Sequence, residues 1–326
     1  MLEKLYPLPS DVSHFDREIG QDLGIENLPK LQPLEQYDIN QVAPHYRSFV
    51  RKLLHDHEKA MSTHQFDIGD TSKTLGYLTL PLVKELPKAN NKVYTMQGGK
   101  REVLRSILIM MLKSKMIEKL STDRLACPVF IISKKDANAT PRFLVDSTEI
   151  NQYFAMPHQL LPQISAMLNE VGAIKPKLLS SVDISSAYHS IKLCKRTSKH
   201  VHISTQFGTY KALVAVQGLS ALPGIFSQYI YRALHSDYLD NMNPDPIHNC
   251  HCFLDDCIGA TGDSNVDLSL HKNLITSIRG FEHPEDIQDE KYTPLSDIEY
   301  KNAISHYFLM STILTRLEHH GFKIAP

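Results

Sequence analysis

The chain of 326 residues is 42% hydrophobic and 22% charged, a composition typical of a globular protein with a sizeable core and two or three lobes. No run of 18 or more apolar residues occurs, and the N-terminus lacks the apolar core of a signal peptide, so we expect no membrane-spanning helix. The formal net charge is −1, but residues 92–211 carry 18 Lys and Arg against 8 Asp and Glu, a surplus of +10. Such a basic block indicates either a partner rich in phosphate or an ordinary solvated surface.

The five cysteines are odd in number and show no Cys-x-x-Cys spacing, so we expect reduced thiols in an intracellular protein. Cys250 and Cys252 alternate with His251 on a predicted strand, which puts the two thiols on one face and the imidazole on the other. Buried strand cysteines therefore explain this pattern better than a zinc site does.

A leader and two helices are predicted for the first third of the chain. Residues 1–43 are rich in Pro, Asp and Gln with little periodicity, which indicates a loosely ordered leader. Residues 46–61 predict an amphipathic helix, and residues 75–83 predict an extended segment. A long helix is predicted over residues 100–120, with an apolar stripe formed by Val103, Ile107, Met110, Met111 and Ile117.

A hairpin is predicted next, with strands over residues 128–133 and 142–146. The polar turn between the strands carries Lys134 and Lys135, and Arg142 opens the return strand. Cations at a hairpin tip suit an electrostatic clamp on a triphosphate. They also keep an edge strand soluble, and the residues alone favour this second explanation.

A carboxylate interrupts the apolar strand that begins at Lys177, because Asp183 follows Val182 directly. A buried carboxylate costs several kcal/mol unless it is paired or bound to a metal. Alternatively, Asp183 caps the turn that starts at Ser185 at the end of the strand. A short helix precedes this strand, with apolar positions at Ile164, Met167, Leu168 and Val171.

A second hairpin is predicted over residues 200–216, turning near Gly208, and Pro223 suits the first turn of the following helix. Residues 262–300 are mostly polar and predict a surface insertion, without any pattern over residues 281–297. The last predicted helix spans residues 303–319, and its apolar positions are Ile304, Phe308, Ile313 and Leu317.

Asp255 and Asp256 form the tip of a third predicted hairpin, since short apolar runs flank them on both sides. Adjacent like charges repel each other, and a divalent metal such as Mg2+ relieves that repulsion. An isolated Asp-Asp pair is more often a solvated turn, but the third carboxylate, Asp183, favours a metal site over a solvated turn. Carboxylates from neighbouring strands suit two-metal phosphoryl transfer, with a nuclease or phosphatase as the competing class of enzyme.

Four motifs in this order resemble those of the reverse transcriptases of the gypsy-type LTR-retrotransposon and retroviral group. They are the basic hairpin Lys134…Arg142, Asp183-x4-Tyr188, Gln217-Gly218-x4-Pro223-x2-Phe226, and the box Phe253-Leu254-Asp255-Asp256. Two positions depart from the group: Phe253 replaces the usual Tyr, and Thr148 stands where retroviral members carry a basic residue.

The resemblance implies an RNA-directed DNA polymerase core that extends a primer by two-metal phosphoryl transfer. The implied catalytic and metal-binding residues are Asp183, Asp255 and Asp256, holding two Mg2+ ions for which Mn2+ can substitute. The implied nucleotide-binding residues are Lys134, Arg142, Ser186, Ala187, Tyr188 and Gln217. The implied partners are an RNA or DNA template with its primer and deoxynucleoside triphosphates, in the cytoplasm, in virus-like particles or in the nucleus.

The implied fold is α+β, a right-hand polymerase whose antiparallel palm sheet is backed by helices. A leader with one helix is expected over residues 1–90, the fingers over 91–155 and 191–221, and the palm over 156–190 and 222–326. On this alignment the chain ends before the thumb, which also permits a second interpretation. In that case the chain is a truncated or decayed remnant that folds and binds nucleic acid without catalysis.

Overall fold

The computed structural model describes residues 39–64, 66–87, 92–120, 124–132, 141–155, 161–235, 247 and 249–325. Most of the predicted leader and the turn residues Lys134 and Lys135 lie outside this part of the chain. Two compact units alternate along the sequence. The described part of the first lies within His64–Gln159 and Ser186–Ile225, and that of the second within Leu31–Thr63, Leu160–Ser185 and Phe226–Pro326. The predicted assignment of fingers and palm stays a prediction.

The described residues form eight strands: β1 (Ile117–Leu120), β2 (Cys127–Ile132), β3 (Arg142–Val145), β4 (Leu178–Asp183), β5 (His202–Thr205), β6 (Gly208–Ala212), β7 (Cys250–Phe253) and β8 (Asp256–Thr261). They also form eight α-helices: α1 (Arg47–Asp56), α2 (Gly99–Lys113), α3 (Ile164–Ala173), α4 (Lys195–Ser198), α5 (Leu222–His235), α6 (Lys272–Arg279), α7 (Pro284–Gln288) and α8 (Asp297–His319). None of the helices described here is both long and apolar enough to cross a membrane.

The first unit is built on a five-stranded mixed sheet in the order β1-β6-β5-β2-β3. Strands β2 and β5 are parallel, whereas the other neighbours in this sheet are antiparallel. Both hairpins predicted for this region, β2–β3 and β5–β6, are present. Helix α2 supplies much of the core of the unit, through Val103, Leu104, Ile107, Leu108, Met110 and Met111.

The helix predicted over residues 100–120 is too long, because α2 ends at Lys113 and Ile117 begins β1. Lys115 has a φ of 53°, a left-handed conformation that stops the α-helix. Ile117 then pairs with Ala212 of β6. The apolar pattern runs across the break because Met116 and Ile117, which follow the helix, are also buried.

The second unit contains a three-stranded antiparallel sheet in the order β4-β8-β7, as the implied palm requires. Helix α8 packs against one face of this sheet, where His306 is hydrogen-bonded to Ser180 of β4 and Thr261 of β8. Gly259 allows the close approach of the helix, since a Cβ atom at this position would lie 2.6 Å from the Met310 sulfur. The α+β fold with a helix-backed sheet is thereby confirmed.

The predicted surface insertion, residues 262–300, contains α6, α7 and the first turn of α8, so the expectation of no pattern over residues 281–297 is wrong. Ile278 of α6 lies in a core cluster with Phe49 of α1 and with Ala303, Ile304 and Tyr307 of α8. Arg47 and Arg51 form ion pairs with the buried Asp286 of α7. The predicted start of the last helix at residue 303 is six residues late, since α8 begins at Asp297 behind a Ser296–Glu299 capping box.

The segment after α8 returns to the end of β4. Phe322 is buried, and Ile324 forms bridges with Met61 and with Ile184. The Ser185 amide donates to the Lys323 carbonyl over 2.8 Å. These contacts fix the backbone immediately after Asp183.

Candidate active site

Strands β7 and β8 and their connecting turn, Cys250–Thr261, form what we call the acid hairpin. Phe253 and Asp256 are its last strand pair, which leaves Leu254 and Asp255 as a two-residue turn. Leu254 has a φ of 55°, at a position where such turns usually have Gly. A leucine in this conformation carries backbone strain, so neighbouring contacts must hold the turn in place.

The acid hairpin and β4 bring the three predicted catalytic residues together. Asp183 is directly opposite Asp256 in the β4–β8 register, and the Ile184 amide donates to the Asp255 carbonyl over 3.0 Å. Directly opposite residues have Cβ atoms about 5 Å apart and on the same face. Asp183, Asp255 and Asp256 are all exposed. The backbone thus places two carboxylates side by side on the face away from α8, with the third at the adjacent turn.

Carboxylate oxygens from this pair suit Mg2+, which is usually bound by one or two carboxylates together with substrate phosphates and water. Within the described ranges, no group of three or more His, Cys, Asp and Glu side chains is arranged to hold a metal ion. The exposed carboxylates of Asp183, Asp255 and Asp256 have the donor chemistry that Mg2+ prefers, while their role as metal ligands stays a prediction.

Cys252 and Cys257 form a disulfide across the acid hairpin. The two residues are a strand pair with Cα atoms 4.2 Å apart, and they precede and follow the Phe253–Asp256 pair. The prediction that all five cysteines are reduced thiols is therefore wrong for this pair. Sequence spacing could not reveal it, because the register of the hairpin alone makes the two residues direct neighbours.

His306 lies behind the acid-bearing strands and ties them to α8. Its two ring nitrogens are 2.8 Å from the Ser180 hydroxyl and 2.9 Å from the Thr261 hydroxyl. Burial lowers the pKa of His306 to about 4, so the ring is neutral at physiological pH. A neutral imidazole can donate to one hydroxyl and accept from the other, and this half-buried bridge joins both strands to α8.

The predicted nucleotide-binding residues Ser186, Ala187 and Tyr188 lie in the first unit, at the start of a 3-10 helix. Ser186 has φ 49° and ψ 39°, and its carbonyl accepts hydrogen bonds from the amides of His189 and Ser190. Ala187 is buried and Tyr188 is half-buried. The chain therefore turns sharply three residues after Asp183, which fixes the direction of the backbone at Ser186 and Ala187.

The Gln217–Gly218 loop is held against the end of β3. Gly218 has a φ of +116°, and a Cβ atom there would lie 2.2 Å from the Val145 carbonyl oxygen. Asn151 clamps the loop from the side, donating to the Gly218 carbonyl over 2.9 Å and accepting from the Ser220 amide over 3.1 Å. The sequence alone assigned Asn151 no role.

An open cleft of about 420 Å3 lies beside this loop in the first unit. The end of β3, the turn that follows it, Asn151 and Gln217 line the cleft. Thr148 also lines the cleft, and its hydroxyl donates to Asp146 over 2.6 Å. Gln217 is thus placed by a preformed loop next to a cavity.

Arg142 is exposed at the start of β3, opposite Ile132 of β2. Its predicted partner in phosphate binding, Lys134, lies outside the described residues. The hairpin that carries both residues is present, whereas their contact with a nucleotide stays a prediction.

No protein-family model matches the chain. A stretch of 137 residues is 28% identical to the transposon Tf2-3 polyprotein of Schizosaccharomyces pombe and covers 42% of this chain and 10% of that polyprotein. The transposon Tf2-7 polyprotein of the same yeast gives the same identity and coverage. The chain thus spans only a small part of the polyproteins that it matches.

Solved structures with a similar fold include the prototype foamy virus protease–reverse transcriptase. The match has a TM-score of 0.65 at 13% identity and covers 91% of this chain and 33% of that one. The foamy viral enzyme in complex with an RNA/DNA hybrid matches with a TM-score of 0.57 at 11% identity, over 90% of this chain and 31% of that one. These relatives confirm the resemblance predicted from the four motifs.

Proposed function

Because the chain resembles the reverse transcriptases of retroviruses and LTR retrotransposons, we propose that it is the core of an RNA-directed DNA polymerase. The observation that carries this proposal is the position of Asp183 directly opposite Asp256, beside the turn with Asp255. In this register the two carboxylates are already neighbours, so no side chain of the sheet has to move to bring them together. The chain spans about a third of the foamy virus chain, so the activity of the whole protein is part of the proposal.

Asp183, Asp255 and Asp256 would hold two divalent ions, Mg2+ or Mn2+. When bound, such ions supply the positive charge that activates a primer 3′-hydroxyl and stabilises the departing pyrophosphate. The contribution of the chain is position: the β4–β8 register fixes Asp183 against Asp256, and the two-residue turn fixes Asp255. Preorganised carboxylates of this kind lower the cost of assembling the charged site.

The proposed nucleotide contacts follow from the resemblance and agree with local geometry. Arg142 is exposed and could bind phosphate together with Lys134. The sharp turn at Ser186 suits backbone contacts of Ser186 and Ala187 with the triphosphate. Tyr188 is proposed as the gate against a ribose 2′-hydroxyl.

Gln217 is proposed to lie next to the incoming deoxynucleotide, because its loop is rigid and borders a cleft. The template would be RNA or DNA with a primer, bound in part through the basic block of residues 92–211. We place this activity inside the cell or in virus-like particles, where an element of the LTR-retrotransposon type copies its RNA.

The test is primer extension on a primed homopolymer RNA template with Mg2+ or Mn2+. The Asp183→Asn variant should lose incorporation while its thermal unfolding stays unchanged, since an amide is a poor ligand for a hard cation. Asp263→Asn is the matched control, because this carboxylate of the same unit is exposed and pairs with Lys177 at the surface. Incorporation that persists in Asp183→Asn would contradict the proposed metal role.

A chain that binds template-primer but incorporates no nucleotide under any of these conditions would be the non-catalytic remnant. Filter binding at increasing salt separates that outcome from a chain that does not bind at all. Cleavage of the template in the absence of deoxynucleotides would instead indicate a nuclease.

A further inference from the structure

Three sulfur atoms lie on the buried side of the acid hairpin. Cys252 and Cys257 are joined across the strands, and the sulfur of Cys250 is 4.0 Å from that of Cys252. Cys257 is 1% exposed, whereas its strand neighbour Asp256 is exposed, so the disulfide and the acids occupy opposite faces of the same two strands. The proposed polymerase chemistry uses none of these thiols.

We propose that Cys252 and Cys257 are a reversible thiol–disulfide site, through which a disulfide oxidant such as glutathione disulfide locks the acid hairpin. The pair is separated by five positions in sequence, so the bond closes a very short loop. Short loops gain the least from the lost entropy of the unfolded chain. The hairpin is also held by its register with β4 and by α8, so the fold does not depend on the bond. A disulfide that the fold does not require is free to be reduced and reformed.

The exposure of the two sulfurs sets the order of the reaction. Cys252 is half-buried and Cys257 buried, so Cys252 is the residue that an external disulfide can reach. The Cys252 thiolate attacks glutathione disulfide and releases one glutathione. The Cys257 thiolate then attacks the Cys252 sulfur and releases the second. In total, two protein thiols and one glutathione disulfide become one protein disulfide and two glutathione thiols.

Cys250 is the competing partner, because its sulfur is also close to that of Cys252. Burial does not separate the two candidates, because Cys250 is 2% and Cys257 1% exposed. Cys250 precedes Cys252 by two positions on the same strand, whereas Cys257 is directly opposite Cys252 on the neighbouring strand. The geometry therefore selects Cys257 as the partner.

The bond acts on the turn that carries the acids. Only Phe253 and Asp256 separate the two cysteines from Leu254 and Asp255, and Leu254 is in a strained conformation. A covalent bond between the two strands next to this turn limits how far the turn can open. The disulfide lies on the face away from Asp183, so it leaves the acid-bearing face clear.

The first test equilibrates the full chain with reduced and oxidised glutathione at several ratios, quenches with acid, and alkylates under denaturing conditions. Intact mass should change from five alkyl groups to three, and peptide mapping should join Cys252 to Cys257. This loss of two alkyl groups on oxidation should be absent in Cys257→Ser. It should persist in Cys127→Ser, which removes a buried thiol from the first unit. Five alkyl groups at every ratio, or a bond between Cys250 and Cys252, would overturn the proposal.

The second test is amide hydrogen exchange of the wild-type chain in its two redox states. Exchange over residues 253–256 should be slower in the oxidised form, while exchange in α2 of the first unit stays unchanged. Equal exchange of the turn in both states would show that the bond does not lock it. Neither test measures nucleotide incorporation, so the redox site stands or fails separately from the proposed polymerase activity.

Discussion

The acid hairpin and the Gln217–Gly218 loop hold their candidate site residues in different ways. Asp256 is placed by strand pairing: its neighbour across the sheet is fixed by a register that runs along all of β4. Gln217 is placed by a side-chain clamp on the residues that follow it, since Asn151 bonds to the backbone of Gly218 and Ser220, and Gly218 packs on the Val145 carbonyl.

Many equivalent contacts therefore hold the acids in place, whereas few contacts hold the loop. A register repeats the same constraint at six residue pairs of β4 and β8, so the loss of any one contact leaves the others. The loop has fewer such constraints, chiefly the two hydrogen bonds of Asn151 and the close approach of Gly218 to Val145. We therefore expect single substitutions to displace the loop at Gln217 more easily than the acids at Asp183 and Asp256.

The largest effect is expected from Gly218→Ala. The new Cβ atom would lie 2.2 Å from the Val145 backbone oxygen, and the φ of +116° adds strain, so the loop must move. We expect a loss of about 3 to 4 kcal/mol in the free energy of unfolding, measured by urea denaturation. Gly76→Ala is the control, because Gly76 also has a positive φ, +87°, but open space around it. Equal losses in the two variants would show that the close approach does not matter.

The second-largest effect is a pH-dependent loss of stability at His306, which joins the acid-bearing strands to α8. Burial lowers the pKa of His306 to about 4 from its ordinary value of 6.5. Above pH 6.5 the His306 ring is neutral in the folded and in the unfolded chain. Between pH 6.5 and 4 the ring is protonated in the unfolded chain but stays neutral in the folded chain, so acid favours unfolding. The stability contribution is therefore present at neutral pH and is lost as pH falls from 6.5 toward 4, by up to about 3 kcal/mol.

His306→Gln keeps a neutral hydrogen-bonding side chain and should flatten this part of the pH–stability curve. The pKa values of His189 and His320 are also lowered to about 4 by burial, so some slope should remain. His189→Gln changes a residue of the first unit and serves as the matched comparison. A slope that is unchanged in His306→Gln would mean that protonation of this ring is not resisted by the native state.

Sequence reasoning found the acid hairpin because its signals are local. Short apolar runs on both sides of two aspartates predict two strands and a turn, and both strands form. The predicted tip at Asp255 and Asp256 is wrong by one residue, because the turn is Leu254–Asp255 and Asp256 begins β8. The fold class and the antiparallel sheet followed from the resemblance. The disulfide could not be predicted, since it depends on which residues of β7 and β8 are paired.

Residues 262–300 show the opposite case, in which local pattern is weak and tertiary contacts decide the structure. Asp286 looks like a surface charge in the sequence but is 4% exposed, because two arginines of α1 bind it. The clamp by Asn151 was missed for the same reason: its partners, Gly218 and Ser220, are more than sixty positions away. Such pairs leave no signal in a single sequence.

Removing the clamp should give the third effect. Asn151→Ala loses one donor and one acceptor to the loop at a solvent-exposed position, so we expect a loss of about 1 to 2 kcal/mol. Asn151→Asp keeps the acceptor for the Ser220 amide but removes the donor to the Gly218 carbonyl. It should fall between wild type and Asn151→Ala. If both variants matched wild type in urea denaturation, the loop would be held by Gly218 alone.

The smallest effect is expected from a substitution in β8, where strand pairing on both sides holds the backbone in place. Gly259→Ala puts a Cβ atom 2.6 Å from the Met310 sulfur, but this sulfur belongs to a flexible side chain that can move. We expect a loss of about 1 kcal/mol, well below that of Gly218→Ala, whose contact is with backbone. Met310→Ala should make room for the added methyl group, so a double-mutant cycle should show favourable coupling between the two changes. A loss as large as that of Gly218→Ala, without coupling to Met310, would mean that the sheet is no more tolerant than the clamped loop.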